Sequence, residues 1–203
     1  GITARTDSTA RKVTANLALT LDGRYSGPGG PADIGAIVRY ATTEVARDHL
    51  TRIWEGATTA VLGRVSAEGF LGYWPTVAAD ENADPRDRGY AKWLVDTEKV
   101  VLSTTLTQAP WDRTRVVNAP AADVVAELMS TGEGDILVNN SASVIKALLA
   151  ADLLDRLYLL VCPEIAGGGE RLFEDGLPGS QWKLMRQETG DLGELSLIYD
   201  RVR

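Results

Sequence analysis

The sequence predicts a single α/β domain, in which a mostly parallel mixed sheet is flanked by helices and ends in an antiparallel C-terminal hairpin. Short apolar runs of strand length alternate with helix-length segments over most of the chain, a pattern typical of parallel sheets with helical crossovers. The final stretch, QWKLMRQETGDLGELSLIYDRV, instead contains two strand-like segments around a turn at residues 190–193. The 203 residues show no internal repeat and no change of composition that would mark a linker, so we expect one core.

The elements can be justified in chain order. The alternating, β-prone segment KVTANLALTL predicts a first strand over residues 12–21, and a loop rich in Gly and Pro follows it. Thr43 is a good N-cap for the helix that begins at TEVARDHLTRIW. Further strands are predicted within residues 58–63, 99–104, 114–119, 135–138 and 155–165, and further helices within residues 64–70, 90–96, 123–129 and 143–149. The segment GYWPT is expected to end the helix that starts at Arg64, and residues 78–88 are expected to form a polar surface loop.

The beginning of the chain has a different character. Residues 1–11, GITARTDSTAR, lack the apolar core of a signal peptide. We expect them to be a disordered or trimmed segment ahead of a domain formed by residues 12–203.

Composition and charge exclude several classes of function. The net charge of −7 and the pI of about 4.8 disfavour general binding to nucleic acid or to anionic membranes, and no apolar run is long enough to span a bilayer. The single cysteine, Cys162, cannot form an internal disulfide, and its strand context favours a small buried side chain. The single histidine, His49, has helical spacing and is expected to be structural or on the surface. These counts exclude a zinc site of His and Cys ligands, and we expect no metal and a cytoplasmic location.

The residues that follow each predicted strand are the candidates for a binding site, because open α/β sheets bind ligands at the carboxyl ends of their strands. Arg64 follows one strand at the start of a helix, where its charge would add to outward-pointing backbone amides. Ser103, Thr104 and Thr105 follow another strand, and Asn139 to Ala142 follow a third. Four of the five strand ends suit an anionic ligand, and this repetition favours a phosphate-containing one.

The order of the segments TANLALTLDG, AVLGRVSAEGF, KVVLSTTL and DILVNNSASVIKALLAADLLDRLYLLVCPEIAGGGERLF resembles the dihydrofolate-reductase-like superfamily. It is most similar to the reductase domain of bacterial riboflavin-biosynthesis deaminase/reductases and their stand-alone relatives, over nearly the whole chain. The resemblance implies an oxidoreductase that uses NADPH and transfers hydride to a C=N or C=O bond of a small heterocyclic substrate. It also implies a homodimer in which a late strand or the terminal hairpin pairs the subunits.

The resemblance also implies roles for individual residues. The backbone of Ala15 would approach the nicotinamide, Gly63 would lie near the adenosine, and Arg64 with Ser103 and Thr104 would bind the 2′-phosphate. The turn of Asn139, Asn140, Ser141 and Ala142 would hold the pyrophosphate. Candidate substrate contacts are Asn16, Arg39, Glu164, Gly168 and Arg171.

Two carboxylates are candidates for supplying a proton to the product. Asp48 lies about where the superfamily has an acidic residue that faces the substrate, although a solvated helix carboxylate between Arg47 and Arg52 is an equally open interpretation. Asp22 faces the substrate, or it caps the turn before Gly23, and the sequence favours neither.

The two asparagines of the turn are a departure from the family, which usually has a glycine pair there. Asparagine tolerates positive φ better than most residues, so the turn can keep its shape. Three outcomes are open: the site keeps NADPH with altered contacts, it holds a flavin such as FMN or FAD without NADPH turnover, or it is empty and the protein has a structural role.

Overall fold

Residues 11–203 are described by the computed structural model, and they form one eight-stranded sheet with helices on both faces. The strands are β1 (Val13–Thr20), β2 (Ala57–Gly63), β3 (Glu98–Leu102), β4 (Thr114–Val117), β5 (Asp135–Asn139), β6 (Arg156–Cys162), β7 (Gln181–Thr189) and β8 (Leu195–Val202). Their order is β4-β3-β2-β5-β1-β6-β8-β7, and β8 is antiparallel to both of its neighbours while the other pairs are parallel. The predicted α/β class, the mixed sheet and the terminal hairpin are thus confirmed.

The helices divide between the two faces of the sheet. They are α1 (Gly35–Val38), α2 (Glu44–Trp54), α3 (Arg64–Ala79), α4 (Pro85–Asp96), α5 (Ala121–Met129) and α6 (Ala142–Ala150). The last two pack against β1, β2, β3 and β5 in the largest apolar cluster, whereas α3 and α4 pack against the opposite side of β2 and β3. Helix α2 covers β5, β6 and β8 through Ile53 on that second side. Among residues 11–203, no helix combines the length and the apolar character needed to cross a bilayer.

Local signals explain where several elements begin. The Thr43 side chain accepts a hydrogen bond from the Ala46 amide at 3.2 Å, which confirms it as the N-cap of α2. The hairpin turn also lies where it was predicted, since the Gly190 amide donates to the Glu194 carbonyl and the Gly193 amide to that of Gly190. Gly193 has a φ of +89°, a conformation that only glycine adopts easily.

The prediction was wrong for the region between β2 and β3. Helix α3 does not end at GYWPT but continues through Pro75 to Ala79. Proline removes one helical hydrogen bond, and this loss is offset by packing of Leu71 and Trp74, whose ring lies 4.6 Å from that of Tyr90. The expected polar loop is also shorter, because α4 begins at Pro85 with Asp84 as its N-cap.

Of the segment expected to be disordered or trimmed, only Arg11 is among the described residues. Residues 1–10 of the predicted disordered or trimmed segment lie outside the described residues. Arg11 is described, and its buried guanidinium donates to the carbonyls of Leu128, Thr131 and Gly134 and to two threonine hydroxyls. It fastens the start of β1 to the end of α5.

A notch in the carboxyl edge of the sheet positions the candidate site. Strand β1 pairs with β5 only as far as Asn16 and Asn139, but it continues beside β6 as far as Thr20 and Cys162. The long helix that follows β1, α2, covers one face of the sheet, and the helix that follows β5, α6, covers the other. This is the topological switch point at which open α/β sheets bind ligands.

Candidate functional site

An open pocket of about 330 Å³ lies between the ends of β2, β3 and β4 and the first turn of α6. Its lining brings together two of the predicted strand ends, those of β2 and β3, with the end of β4, which had not been singled out, and with Ser143 and Val144 just beyond the asparagine turn. The polar or flexible residues in the lining are Gly63, Arg64, Ser103, Thr104, Asn118 and Ser143. The carboxyl ends of neighbouring parallel strands therefore converge here, as the sequence predicted.

Arg64 supplies positive charge to this pocket. It is the first residue of α3, and Gly63 is the N-cap with extended backbone. The Arg64 side chain is 45 % exposed and forms an ion pair with Glu68 one turn later at 3.3 Å. Such an exposed pair contributes little to stability, so the guanidinium can exchange it for an anionic ligand at small cost.

Hydroxyl groups line the opposite wall of the pocket. The buried Ser103 Oγ accepts hydrogen bonds from the amides of Thr105 at 3.1 Å and Leu106 at 3.0 Å, so this hydroxyl shapes the loop after β3. Thr104 is exposed, and its hydroxyl has no protein partner within residues 11–203. Of the two predicted phosphate contacts, Thr104 therefore has the free hydroxyl, while Ser103 acts on the loop that presents it.

The asparagine turn has an unexpected construction. Asn139 is fully buried, and its Nδ2 donates a hydrogen bond to the hydroxyl of Tyr90 on α4, on the face of the sheet away from α6. Its side chain does not line the pocket. Asn140 has a φ of +50°, and its amide donates to the carbonyl of Asn16 at 3.2 Å. The second asparagine thus adopts the left-handed conformation for which glycine is normally used.

Two serine hydroxyls connect this turn to the end of β2. Ser141 Oγ accepts from the Gly63 amide at 2.9 Å and lies 3.1 Å from the Asn139 carbonyl, to which it donates. Ser66 Oγ, in the first turn of α3, donates to the Asn140 carbonyl at 2.9 Å. The Ser141 hydroxyl is consequently engaged within the protein, and what the turn offers to a ligand is its backbone amides. Ala142 begins α6 directly afterwards.

Two buried carboxamides lie side by side at the base of the notch. Asn16 on β1 and Asn139 on β5 are in register on neighbouring parallel strands, so their side chains point to the same face of the sheet. Asn16 is 5 % exposed and Asn139 is 0 % exposed. The Oδ1 atom of each has no hydrogen-bond partner among residues 11–203. Buried acceptors are rarely left unpaired, so these two oxygens are suited to a donor from water or ligand. Ala15, one residue earlier, is fully buried, and its side chain faces the α5 and α6 side.

Asp48 lies outside the described pocket, in an ion-pair network on the surface. Its Oδ1 accepts a hydrogen bond from Arg86 of α4 at 3.0 Å, and its side chain is 47 % exposed. The same guanidinium contacts Glu44 and Asp84. The structure therefore places Asp48 on the surface of α2 between two helices, where it also helps to hold α2 against α4.

Asp22 clamps the loops that follow β1 and β6. Its carboxylate accepts from the Thr20 hydroxyl at 2.6 Å and from the amides of Ala166 and Gly167, both at 3.0 Å. These hydrogen bonds, that of Thr20 first, hold the pKa of Asp22 far below its usual value. An ionised acceptor of this kind orders the turn, as one of the two interpretations of the sequence expected, and it is poorly suited to donate a proton.

The predicted substrate residues Arg39 and Glu164 are paired with each other. Arg39 donates from Nε to Glu164 Oε2 at 2.8 Å and also contacts that oxygen through a terminal nitrogen. Arg39 is well exposed, and the pKa of Glu164 is lowered, with hydrogen bonds from Tyr40 and Arg39 as the main causes. The charge of Arg39 is therefore balanced before any ligand binds.

Gly168 and Arg171 lie on the loop that Asp22 clamps. A Cβ at Gly168 would lie 3.1 Å from the Pro28 side chain, so this loop packs closely against the loop that follows β1. Arg171 is exposed and forms an isolated β-bridge with Arg24. The two loops together form one wall beside the notch.

His49 and Cys162 have no place in the candidate site. His49 is buried and its Nδ1 lies 2.8 Å from Ser196 Oγ. Burial, with the charge of Arg52 as a second cause, lowers the pKa of His49 to about 4. Cys162 is fully buried, and burial raises the pKa of its thiol to about 12. Both are structural, as the sequence favoured.

Sequence reasoning missed three residues that build the site. Asn118 follows β4 directly and would have been found by the strand-end rule that found Ser103. Ser143, whose backbone amide was expected at the start of this helix, also lines the pocket. Ser66 and Tyr90 gave no local signal, because their partners are distant in sequence.

Several solved structures share this fold. A putative riboflavin biosynthesis protein from Shewanella sp. PV-4 has a TM-score of 0.69 and 21% identity, covering 95% of this chain and 99% of that one. A pyrimidine reductase-like protein from Corynebacterium diphtheriae has a TM-score of 0.62 and 14% identity, covering 95% and 92%. A diaminohydroxyphosphoribosylaminopyrimidine deaminase/5-amino-6-(5-phosphoribosylamino)uracil reductase from Thermotoga maritima has a TM-score of 0.63 and 14% identity, and this chain spans 57% of it.

The comparison of sequences gives the family. No curated protein matches this chain. The family described as the RibD C-terminal domain matches residues 11–193, which include the whole notch and the pocket beside it. This chain therefore belongs to the RibD C-terminal domain family.

Proposed function

We propose that this protein is an NADPH-dependent reductase that transfers hydride to a C=N or C=O bond of a small heterocyclic substrate. The observation that carries the proposal is the convergence of Arg64, Thr104 and two helix N-termini on one open pocket beside the switch point. Helix N-termini and arginine are the groups that proteins commonly use to bind phosphate. Membership of a reductase-like family supports the same conclusion.

The donor set of the pocket fits NADPH. We assign the 2′-phosphate to Arg64 and the hydroxyl of Thr104, and Asn118 adds a carboxamide to the lining of the same pocket. Because the Asn140 amide already donates to Asn16, we assign the pyrophosphate to the backbone amides of Ser141 and Ala142 at the start of α6. When bound, NADPH supplies the hydride; the protein's part is to fix the position of the nicotinamide relative to the acceptor atom.

The asparagine turn is compatible with this ligand. Asn139 directs its carboxamide to Tyr90 beneath the sheet, which keeps it out of the described pocket. Asn140 adopts positive φ, so the amides that follow it start α6 as they would after glycine. These features remove the objection to NADPH that the asparagine pair raised.

The substrate is expected to bind on the α2 side of the notch. There the unpaired Oδ1 of Asn16, the less completely buried of the two carboxamides, is the candidate acceptor for a ring N–H or amino group of the substrate. Arg39 and Glu164, with Gly168 and Arg171 on the neighbouring loop, form the candidate rim. We retain Asp48, the acidic residue that the family resemblance implies, as the candidate that relays a proton from an ordered water to the product.

A second copy of the chain is the proposed partner. Strand β7 forms an edge of the sheet and pairs only with β8 within residues 11–203. Leu184 and Met185 on this edge strand are 47% and 49% exposed. An edge strand with exposed apolar side chains favours association with another strand. Sedimentation analysis should give a dimer that becomes a monomer in Leu184→Lys.

The proposal is tested by cofactor binding to the purified protein. Titration with NADPH, followed by tryptophan fluorescence, should show saturable binding that is tighter than that of NADH. Visible absorbance near 450 nm in the purified protein would indicate a bound flavin instead. The absence of both signals would overturn the proposal and leave the structural interpretation.

A further inference from the structure

We propose that Ser66 and Ser141 are positioning residues for nucleotide binding, because their hydroxyls hold the two phosphate-binding turns at a fixed spacing. The inference rests on the proposed function and assigns roles to two side chains that do not themselves contact the ligand. The first turn is Gly63 and Arg64 at the start of α3. The second is residues 139–142 at the start of α6.

Ser141 forms the inner connection between the turns. It is 2% exposed, and its single hydroxyl is used twice, as acceptor from the Gly63 amide and as donor to the Asn139 carbonyl. The ends of β2 and β5 are neighbours in the sheet, but ladder pairing stops at Val61 and Val138. The Ser141 hydroxyl therefore continues the connection between the two strands beyond the end of their ladder.

Ser66 forms the outer connection. It lies two residues after Arg64 on α3, and its hydroxyl donates to the carbonyl of Asn140 at 2.9 Å. Asn140 is the residue with a φ of +50°, a conformation that asparagine adopts less readily than glycine. By holding its carbonyl, Ser66 fixes the peptide plane between Asn140 and Ser141, and hence the direction of the Ser141 amide.

The turns are also in direct contact. A Cβ added at Gly63 would lie 3.7 Å from Ser143 Oγ and 3.9 Å from the Ser141 Cβ. These are ordinary van der Waals distances, so the turns are adjacent, and the two serine hydroxyls fix their mutual orientation.

A fixed spacing matters for a ligand that spans both turns. In the proposed complex, the Arg64 side chain binds one phosphate of the nucleotide and the α6 amides bind another. If the turns move independently, a ligand that uses both must order them on binding and loses affinity. A ligand that uses only the Arg64 end does not incur this cost.

The test compares such ligands in Ser66→Ala. We expect the dissociation constant of NADPH to rise about fivefold to tenfold, the range that corresponds to one net hydrogen bond. The dissociation constant of adenosine 2′-monophosphate, which lacks the pyrophosphate, should change by less than about twofold. Isothermal titration calorimetry measures both. Ser66→Thr keeps the hydroxyl and should restore NADPH affinity. Ser130→Ala, which removes a hydroxyl from a helix end remote from the pocket, is the matched control.

A second measurement needs no ligand. Hydrogen exchange of the amides in residues 139–143 should be faster in Ser66→Ala and in Ser141→Ala than in wild type, and unchanged in Ser130→Ala. Unchanged exchange, or an equal loss of affinity for both nucleotides, would overturn the inference. Wild-type protein that fails to bind NADPH would overturn the proposed function instead, while exchange would still decide whether these serines hold the turn.

Discussion

Asn139 at the end of β5 donates a buried hydrogen bond to the hydroxyl of Tyr90 in the middle of α4. The Tyr90 ring is itself enclosed by Trp74, edge to face at 4.6 Å, and by Trp93, stacked at 5.9 Å. The first asparagine of the turn is thus an anchor between the sheet and an aromatic cluster. This explains why a residue with a side chain stands at this strand end.

Tyr90→Phe is expected to lower the free energy of unfolding by about 1–3 kcal/mol, because the Asn139 amide group loses its partner while it stays buried. Urea denaturation measures the effect. Tyr73→Phe is the matched control, since Tyr73 is 59% exposed and should change stability by less than about 0.5 kcal/mol. Adding Asn139→Leu to Tyr90→Phe should cost less than the sum of the single changes. Strict additivity would show that the two groups do not interact.

The fold was predictable because its signals are local. Alternation in residues 12–21, the Thr43 cap and the glycines of the last turn each act within a few residues, and all three are present in the structure. The prediction for the region from α3 to α4 was wrong because Pro75 was interpreted as a helix end. The helix continues through Pro75 while the neighbouring Trp74 packs against Tyr90, a contact that no local pattern reveals.

The site was predictable where it depends on strand ends and not where it depends on partners. Arg64, Ser103 and Thr104 meet because parallel strands end at one edge, a rule that needs only the order of elements. The Asp22 carboxylate accepts hydrogen bonds from the amides of Ala166 and Gly167, which follow it in the sequence by 144 and 145 residues. No sequence pattern gives such a contact.

Arg64→Ala should weaken the binding of NADPH by about tenfold to a hundredfold and the binding of NADH by less than about threefold, since only NADPH carries the 2′-phosphate. Fluorescence titration with each dinucleotide measures the difference. Glu68→Gln provides the control, because it removes the ion pair of Arg64 and leaves the guanidinium in place. It should preserve or slightly increase the affinity for NADPH. Equal losses for both dinucleotides in Arg64→Ala would remove Arg64 from the 2′-phosphate.

Asp48→Asn should lower kcat about tenfold or more and change the dissociation constant of NADPH by less than about twofold, if this carboxylate helps to protonate the product. Glu44→Gln is a matched variant, because Glu44 contacts the same Arg86 guanidinium at 2.9 Å. It should leave turnover nearly unchanged. Similar losses of turnover in both variants would mean that Asp48 acts only by holding α2 to α4. Unchanged turnover in Asp48→Asn would show that Asp48 does not take part in protonating the product.

His49 should make the folded state less stable as the pH falls from about 6.5 to about 4. Burial lowers its pKa from 6.5 to about 4, with Arg52 lowering it further and Glu188 opposing the shift. Below pH 6.5 the unfolded chain takes up a proton that the folded protein does not, so the unfolded state is favoured. Between pH 7 and pH 5 this linkage amounts to about 2 kcal/mol.

Urea denaturation of wild type and His49→Gln at a series of pH values isolates this contribution, because carboxylates titrate alike in both proteins. His49 is the only histidine in the chain, so no other imidazole contributes to the difference. The variant should be less stable than wild type at pH 7, since the ring contact with Tyr158 at 6.0 Å and the Ser196 hydrogen bond are altered. The gap between the two proteins should then narrow by about 2 kcal/mol at pH 5. A constant gap would show that His49 takes up its proton equally in the folded and unfolded states, contrary to its buried position between α2 and β8.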